Sequence, residues 1–418
     1  MNDTTVDCCA DPSQKLLSLE QGRQRILDAV PAVADHEQLH LHAALNRVLA
    51  EPVVSAIDVP PFANSAMDGY AIRHADSANA ALCTLTVAGE SFAGRPFDGQ
   101  LESGQCIRIM TGAVMPDSAD TVLMQEHVER NGEQIQFAPA NVRAGENVRH
   151  AGEDTRAGQQ VLEPGKVLGP SELGLLASVG VGEVRVRRKL RVAFFSTGDE
   201  LTSVGTPLRH GQIYDSNRYA LYGLLSNAGV DFHDLGVIPD QRDAVRKAFQ
   251  QAASIADLVL TSGGVSVGEA DFVTETLEEL GEINFWRMAM KPGKPLAFGK
   301  LGDAVFFGLP GNPVSVMVTF YQFVLPAIRK MRGEQARDPL LFEARCANSL
   351  KKAAGRAEFQ RGILQRDADG SWVVSTTGLQ GSHVLSSMSH ANCFILLAAE
   401  NTGVSEGDSV LVQPFSDF

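Results

Sequence analysis

The chain has 418 residues, of which 44% are hydrophobic and 21% are charged. A single hydrophobic core stops growing at roughly 250 to 300 residues, so this length predicts several domains, and the composition is that of a folded globular protein. The 50 acidic and 36 basic side chains give a formal net charge of −14. This balance argues against broad binding to the nucleic-acid backbone, and an anionic ligand requires a local basic pocket.

The cysteines and the N-terminus indicate a cytoplasmic protein with reduced thiols. The six cysteines, at 8, 9, 83, 106, 346 and 393, show no Cys-x-x-Cys pair and no regular spacing, so neither a zinc site nor a disulfide framework is predicted. The longest apolar run, over 394–399, is far shorter than the roughly 18 residues of a membrane span. Residues 1–15 contain acids and no apolar segment, which predicts a short mobile tail rather than a signal peptide.

The first structured region is predicted to be helical. Ser18 and Gln21 have the spacing of a capping box, which predicts a helix from near Ser18 to Pro31. Apolar side chains at 41, 44, 45, 48 and 49 have the spacing of a second, amphipathic helix that Pro52 ends. A later helix over 171–180, followed by the alternating sequence VRVRR, predicts that residues 151–188 return to pack on residues 16–58 as a discontinuous domain.

The other parts of the chain predict a multidomain α/β plus β protein. Short β-like runs separated by Gly, Pro, Asn and Asp predict an all-β insert over 59–150. Alternating strands and helices over 189–335 predict a mostly parallel α/β sheet covered by helices. Five further β-like runs over 336–418 predict a small β-barrel or sandwich.

In an open α/β sheet, ligands bind beyond the carboxyl ends of the strands, so the loops there are expected to carry the chemistry. The loop STGDEL places Asp199 and Glu200 at such an end, where the alternative is an acid that caps the next helix. The loop TSGGVSVGEAD supplies glycines and hydroxyls that suit a phosphate or another oxyanion, with a plain glycine turn as the alternative: Ser262, Gly263, Gly264 and Ser266.

Two further loops add positive charge and a helix start. MKPGKP holds Lys291 and Lys294 between prolines, although a solvated surface turn has the same composition. In GLPGNPVS, Asn312 is the predicted N-cap, Pro313 the first helical residue, and Ser315 part of an anion site. Together with acids that suit Mg²⁺, the four loops predict a site for an anionic, phosphorylated ligand.

Two further motifs lie in the β insert: PPFANSAMDGYA contains Asp68, and RIMTGA contains Thr111. Each motif could instead form only a turn, because Asp-Gly and Thr-Gly are common turn pairs. With these motifs the sequence resembles the MoeA family of molybdopterin molybdenumtransferases, which includes the E domain of gephyrin. The resemblance runs from about residue 16 to the C-terminus. It continues through GEDT, FSTGDEL, SGGVSVGEAD, KPGKP, LPGNPVS, GRAEFQRG and TTGLQGSHVLSSMSHANC in a fixed order.

The resemblance implies a four-domain subunit. Its parts are a discontinuous helical domain for dimerisation at 16–58 and 151–188, a β insert at 59–150, a central MoaB/MogA-like α/β domain at 189–335 that binds molybdopterin, and a C-terminal β-barrel at 336–418. Members of the family are elongated homodimers. Their active site lies between the α/β domain of one protomer and the β insert of the other.

Carried over residue by residue, the family's functional positions fall on Asp68, Thr111, Arg149, Asp154, Glu200, Asp240, Asp271, Lys291, Pro310 and Pro313. The resemblance implies that Glu200, Asp240 and Asp271 bind Mg²⁺ or position the attacking oxygen. It implies a pterin-phosphate site at Ser262, Gly263, Gly264 and Ser266, and a molybdate site at Lys291, Lys294, Ser315, Arg361 and Ser387. Arg287 stands where bacterial relatives commonly carry lysine, so a planar guanidinium group with several N–H donors replaces a compact ammonium group.

The implied reaction brings adenylated molybdopterin, molybdate and Mg²⁺ together, releases AMP and leaves molybdenum on the dithiolene sulfurs. Molybdopterin adenylyltransferase and other proteins of the pathway are the expected partners, with no nucleic acid or membrane. One rival interpretation is a scaffold that uses this fold to hold a peptide without turnover, which the retained acids and lysines argue against. A second is the preceding adenylyl-transfer enzyme, from which the β insert and the C-terminal domain differ.

Overall fold

The computed structural model describes residues 16–77, 81–263 and 272–416 of the chain. The chain divides into a large unit, Met1–Asp35 with Arg187–Phe418, and a small unit, His36–Val186. The tail predicted at residues 1–15 lies outside the described residues. In the described ranges, no helix is long and apolar enough to cross a membrane.

The first helix, Leu19–Ala29, confirms the capping box. The Ser18 hydroxyl accepts the Gln21 backbone N–H, and the Gln21 side chain accepts the Ser18 N–H. Ile26 is buried in the same apolar cluster as Phe323 of the large unit. This helix packs within the large unit. The grouping of residues 16–58 with 151–188 stays a prediction.

The prediction of a helix over residues 41–49 is wrong. Only Leu41–Ala43 form a 3₁₀ turn, and Asn46 has a φ of 61°, in the left-handed region that interrupts a right-handed helix. The Asn46 backbone N–H donates to the Leu168 carbonyl rather than to a carbonyl four residues back. Long-range hydrogen bonds therefore override the local periodicity: the side chains at 44, 48 and 49 are buried as the pattern predicted, but Leu45, in the same pattern, is exposed.

The frame of the small unit consists of short strand pairs and one helix. The pairs are His36–His40 with Glu183–Arg187 and Val53–Val54 with Gln160–Leu162, and the helix is Pro170–Ser178. This helix confirms the one predicted over 171–180. Proline suits its first turn, because a backbone N–H there has no partner within the helix.

The β insert is a six-stranded sheet. In spatial order its strands are Thr121–Met124, Gly69–Ile72, Gln105–Ile109, Cys83–Ser91, Gln134–Phe137 and Glu129–Asn131. Gly69–Ile72, for which the sequence left a turn as the alternative, is an inner strand that pairs on both sides. Asn64–Ser65 pair with Val148–Arg149, and 3₁₀ turns occupy His74–Ser77, Gln125–His127 and Pro139–Asn141.

The large unit contains the predicted α/β sheet. In spatial order its strands are Asp231–Ile238, Arg191–Thr197, Leu258–Ser262, Ala304–Leu309, Pro295–Leu301 and Gly281–Arg287. The first four are parallel, and the last two are antiparallel to their neighbours. The strand residues 192–195 are all buried, as expected for a parallel sheet that is covered on both faces. Leu201–Thr202 and Ile213–Tyr214 form a separate parallel pair.

Helices cover this sheet at Ser216–Asn227, Arg242–Ile255, Phe272–Leu280, Pro313–Thr319 and Leu325–Met331. The last two helices are joined by a π-helical turn, Phe320–Val324. Pro326 has no N–H to donate to the Gln322 carbonyl four residues earlier. The Arg23 Nε donates to that carbonyl at 3.3 Å instead, so the first helix satisfies an acceptor that the proline leaves open.

A closed five-stranded barrel ends the chain and confirms the predicted β-barrel. Its strands are Phe342–Cys346, Ala357–Arg366, Trp372–Thr376, Cys393–Leu397 and Ser409–Pro414. It closes because Ala357–Arg366 pairs with both Trp372–Thr376 and Cys393–Leu397. The short strand Met290–Lys291 joins Ala357–Arg366, so the run INFWRMAM is divided between two sheets. Leu350–Lys351 pair with Gly403–Val404, and Ser386–His390 form a short helix.

Gly69 is required by the close approach of two strands in the β insert. A β-carbon at this position lies 1.7 Å from the Leu123 carbonyl oxygen, a backbone atom that cannot move without disturbing the sheet. We expect Gly69→Ala to lower the free energy of unfolding by roughly 1–3 kcal/mol or more. Urea denaturation followed by circular dichroism measures the change.

Gly174 provides the matched control in the same unit. It lies on helix Pro170–Ser178, and a β-carbon there meets no heavy atom within 4 Å. Gly174→Ala should raise the free energy of unfolding by about 0.5–1 kcal/mol, because alanine loses less conformational entropy in a helix. A Gly69→Ala variant as stable as the wild type would show that the sheet tolerates the added methyl group.

Candidate functional site

The loops after the parallel strands meet at one edge of the α/β sheet, which we call the rim. Thr197 is the register partner of Ile238, and Ser262 is the partner of both Ser196 and Leu309. The carboxyl ends of four strands therefore lie side by side. This is the edge at which ligands bind in open α/β sheets.

The antiparallel strands bring two basic residues to the same rim. Ala297 is the register partner of Gly308, and Pro295 is the partner of Arg287. Lys294 and Arg287 therefore lie at the edge where strand Ala304–Leu309 ends. The rim collects these residues predicted from separate motifs: Glu200, Asp240, Ser262, Gly263, Arg287, Lys294, Pro310 and Pro313.

Three carboxylates interact at the rim. The Asp240 backbone N–H donates to Asp199 Oδ1 at 3.1 Å. Burial raises the pKa of Asp240, and the negative charges of Asp199 and Glu200 raise it further. The structure thus brings Glu200 and Asp240 together, as predicted, and adds Asp199. Sequence reasoning noted Asp199 beside Glu200 but assigned it no role, because its neighbour Asp240 lies in the loop after another strand, Asp231–Ile238.

The predicted magnesium set is only partly described. Asp271, its third member, lies outside the described residues. Within the described ranges, no three His, Cys, Asp or Glu side chains are arranged to hold a metal ion. The role of Glu200 and Asp240 as metal ligands stays a prediction.

The glycine loop after strand Leu258–Ser262 is described only at its start. Gly263 has a φ of 91°, a conformation that other residues rarely adopt. A β-carbon there lies 2.8 Å from the Thr197 carbonyl oxygen, so glycine lets the two strand ends approach each other closely. Gly264 and Ser266 lie outside the described residues, and their contact with phosphate stays a prediction.

Lys291 is held by a buried carboxylate that the sequence analysis missed. Its Nζ lies 3.4 Å from Glu358 Oε1, and the two residues are register partners in the barrel sheet. Lys291 is half-exposed, whereas Glu358 is buried and also accepts from the Gln360 side chain. The only signal in the sequence was an acid inside GRAEFQRG, a motif considered only for Arg361.

The helix after LPGNPVS begins as predicted, but its N-terminus is less open than an anion site requires. Pro313 lies in its first turn, and Asn312 is the N-cap residue without a capping bond from its side chain. The Val314 N–H already donates to the Ser382 carbonyl at 3.1 Å. Ser315 is only 4% exposed. The predicted anion site therefore has one N–H satisfied and its hydroxyl buried.

Arg361 and Ser387, predicted to bind molybdate, meet between the barrel strand Ala357–Arg366 and the short helix Ser386–His390. Arg361 Nε donates to Ser387 Oγ at 3.0 Å, and Nη2 donates to the Gly381 carbonyl at 3.1 Å. Both residues are buried. Burial lowers the pKa of Arg361 to about 10, an effect that the negative charge of Glu358 partly offsets. The pair is assembled as predicted, but with hydrogen bonds to the protein already in place.

In the small unit, residues 59–65 contact three of the predicted motifs. The Gly112 N–H donates to the Ser65 carbonyl, Arg149 is the register partner of Asn64, and the Asp154 N–H donates to the Val59 carbonyl. These contacts all fall on residues 59–65, a few positions before Asp68. The motifs that contain Thr111, Arg149 and Asp154 are therefore held along a single stretch of backbone.

Asp68 and Thr111 are in direct contact. Asp68 Oδ1 accepts the Thr111 backbone N–H at 2.7 Å and the Thr111 hydroxyl at 2.8 Å. The backbone bond first, and then the hydroxyl bond, lower the pKa of Asp68. The carboxylate is thus fixed and ionised, and within the described residues its Oδ2 has no hydrogen bond.

Comparison with known proteins gives consistent matches along the whole chain. The MoeA N-terminal region (domain I and II) matches residues 17–180, a probable molybdopterin binding domain matches 193–330, and the MoeA C-terminal region (domain IV) matches 343–415. The molybdopterin molybdenumtransferase of Haemophilus influenzae is 48% identical over 96% of this chain and 99% of its own length. That of Bacillus subtilis is 33% identical over 90% and 89%.

A solved structure shares the architecture. The molybdopterin biosynthesis MoeA protein of Pyrococcus horikoshii aligns with 96% of this chain and 100% of its own, at a TM-score of 0.84 and 29% identity. The α/β rim, the barrel and the β insert define a protein of the molybdopterin-binding class. The chain belongs to the MoeA family and is a transferase of molybdenum-cofactor biosynthesis.

The Thr111 hydroxyl is expected to help keep Asp68 ionised. Thr111→Val keeps the side-chain shape and the backbone N–H but removes one donor, so the pKa of Asp68 should rise while staying below its ordinary value. Carbon-13 NMR titration of the Asp68 carboxyl group measures the shift.

The direction in which stability changes with pH follows from the lowered pKa of Asp68. Asp68 stabilises the fold above its unfolded pKa, and this contribution is lost as the pH falls through its folded pKa. In Thr111→Val the loss should be complete at a higher pH than in the wild type. An Asp68 pKa that stays constant or falls would contradict the assigned hydrogen bond.

Proposed function

We propose that the chain transfers molybdate to adenylated molybdopterin and releases AMP in a magnesium-dependent reaction. The observation that carries the proposal is the rim, where acids that suit a cation lie beside hydroxyl, glycine and lysine donors that suit phosphate. The relatives named molybdopterin molybdenumtransferase match almost the entire chain and support this substrate.

The rim acids fit Mg²⁺. This ion prefers oxygen ligands and commonly binds through one or two carboxylates together with substrate phosphates and water. Asp240 lies in the negative field of Asp199 and Glu200, which a cation neutralises. Glu200 and Asp240, together with Asp271, would hold the ion. When bound, the ion would neutralise charge on the phosphate oxygens.

The chain's own donors bind and orient the two substrates in this proposal. Ser262 and Gly263 begin the loop that holds the terminal phosphate of the pterin. Lys291 and Lys294 bind molybdate through charge-assisted hydrogen bonds, which are about twice as strong as neutral ones. Ser315, Arg361 and Ser387 complete this set from buried positions.

The reaction exchanges one bond at phosphorus. A water oxygen attacks one phosphorus of the pyrophosphate, the bridging P–O bond breaks, and the products are AMP and the terminal phosphate of the pterin. The two dithiolene thiols form two S–Mo bonds with molybdate, and one molybdate oxygen leaves as water with the two thiol protons. Asp240 and Glu200 would hold the cation, which would supply charge neutralisation at the phosphate oxygens, and the chain's own donors orient the phosphate for displacement.

We also propose that the protein is a cytoplasmic homodimer with active sites shared between protomers. The fixed Asp68 carboxylate belongs to the small unit, whereas the rim belongs to the large unit. In the proposed dimer, Asp68, Thr111, Arg149 and Asp154 of one protomer complete the rim of its partner. Molybdopterin adenylyltransferase would supply the substrate, and other proteins of the pathway would receive the product.

A turnover assay tests the reaction. Purified protein with adenylated molybdopterin and Mg²⁺ should release AMP and form metal-loaded pterin when molybdate is present.

In this assay, Asp240→Asn should lower the rate of AMP release on the order of a hundredfold, because the substitution removes a negative charge from the reacting centre. The control Asp243→Asn, exposed on the next helix, should keep the wild-type rate. Pterin binding without AMP release would favour a binding protein instead.

Mixed dimers test the shared site. If Asp68 and Asp240 act together from different chains, a heterodimer of Asp68→Asn with Asp240→Asn has one doubly defective site and one intact site. We expect up to about half of the wild-type activity, provided that the two sites act independently. Differently tagged chains allow the heterodimer to be purified and assayed.

The matched control pairs Asp240→Asn with Glu200→Gln. Both changes lie in the large unit, so every site of this heterodimer carries one lesion and no site is intact. Its activity should stay near that of the two mutant homodimers. Equal activity in the two heterodimers would place Asp68 and Asp240 within one chain, and a fully active Asp68→Asn homodimer would show that Asp68 has no role in the site.

A further inference from the structure

Asn217 connects two loops of the rim, although no sequence motif pointed to it. It lies in the first turn of helix Ser216–Asn227, next to the N-cap region of that helix. Its Nδ2 lies 2.7 Å from Ser262 Oγ and 2.7 Å from the Gly311 carbonyl oxygen. Ser262 directly precedes the glycine loop, and Gly311 belongs to LPGNPVS. One side-chain amide therefore joins the two loops.

Elementary hydrogen-bond chemistry fixes the direction of both bonds. The Gly311 carbonyl can only accept, so the amide must present its NH₂ group there and not its oxygen. An amide nitrogen does not accept hydrogen bonds, so Ser262 Oγ accepts the second N–H. The hydroxyl hydrogen of Ser262 must therefore point toward a third partner.

The protein supplies no such partner within the described residues, where the side chain of Ser262 bonds only to Asn217. Ser262 is 2% exposed and occupies the last position of its strand, directly before the glycine loop. A buried hydroxyl without an acceptor is unfavourable. An oxyanion bound at the rim supplies the missing acceptor, and it gains a donor whose direction is already set.

We propose that Asn217 is a positioning residue for the substrate phosphate: it orients the Ser262 hydroxyl as a donor and fixes the spacing between Ser262 and Gly311. The inference rests on the proposed function, because it takes the phosphate of the pterin as the ligand of the Ser262 hydroxyl. Asn217 acts through Ser262 and Gly311 and need not touch the ligand.

The test is a double-mutant cycle on ligand affinity. The dissociation constants of molybdopterin and of the same pterin without its phosphate are measured for the wild type, Asn217→Ala, Ser262→Ala and the double variant. Asn217→Ala should weaken binding of the phosphorylated pterin roughly tenfold to a hundredfold. Affinity for the dephosphorylated pterin should change by less than about twofold, and in the Ser262→Ala background the loss should shrink to about threefold or less.

Two more variants separate positioning from folding. Asn217→Asp keeps the side-chain shape but cannot donate, and its carboxylate accepts the Ser262 hydroxyl hydrogen, so it should bind phosphorylated pterin at least as weakly as Asn217→Ala. Asn227→Ala, exposed at the other end of the same helix, should bind both pterins like the wild type.

The outcomes distinguish this inference from the proposed function. If the wild type binds both pterins equally well, the phosphate is not held at this loop, and the proposed cradle fails together with the role of Asn217. If the wild type prefers the phosphorylated pterin, but Asn217→Asp binds it normally or the cycle is additive, only the positioning role is overturned.

Discussion

The site depends on the register of four parallel strands in the α/β sheet. Ser262 pairs with Ser196 on one side and Leu309 on the other, which places three loops at one edge. A slip of one residue would turn every side chain to the opposite face and move Ser262 away from Asn217. Apolar burial on both faces prevents such a slip, since Leu260 belongs to one buried cluster and Val259 to the other.

This two-sided burial also explains which parts of the fold the sequence could predict. Strands buried on both faces have long apolar runs, and their covering helices have a clear period, so both were predicted over 189–335. The apolar side chains at 44, 48 and 49 have the same helical period, but Asn46 turns the backbone and distant carbonyls take its hydrogen bonds. Periodicity identified three of the buried side chains but not the exposed Leu45, because long-range partners decide how the backbone runs and which side chains it buries.

The residues of the candidate site divide in the same way into those that the sequence could predict and those that it could not. Glu200 was predicted because its motif follows a strand end that is visible in the sequence, whereas Asp240 was predicted only through the resemblance to the family. Asn217 and Glu358 were missed, because each acts through partners that only the folded chain brings near. Ser315 was the right residue type in the right place, but its burial depends on packing between the helix and the C-terminal segment near Ser382.

The contact between Lys291 and Glu358 explains why the barrel belongs with the rim. An ion pair with one half-exposed partner adds little to stability, so the role of this pair is better sought in geometry. Register pairing fixes Lys291 on the barrel strand, and the same Glu358 partly offsets the effect of burial on the Arg361 pKa. With a pKa of about 10, the buried Arg361 stays protonated at neutral pH. Folding therefore fixes the position of this buried cation, through its hydrogen bonds to Ser387 and to the Gly381 carbonyl.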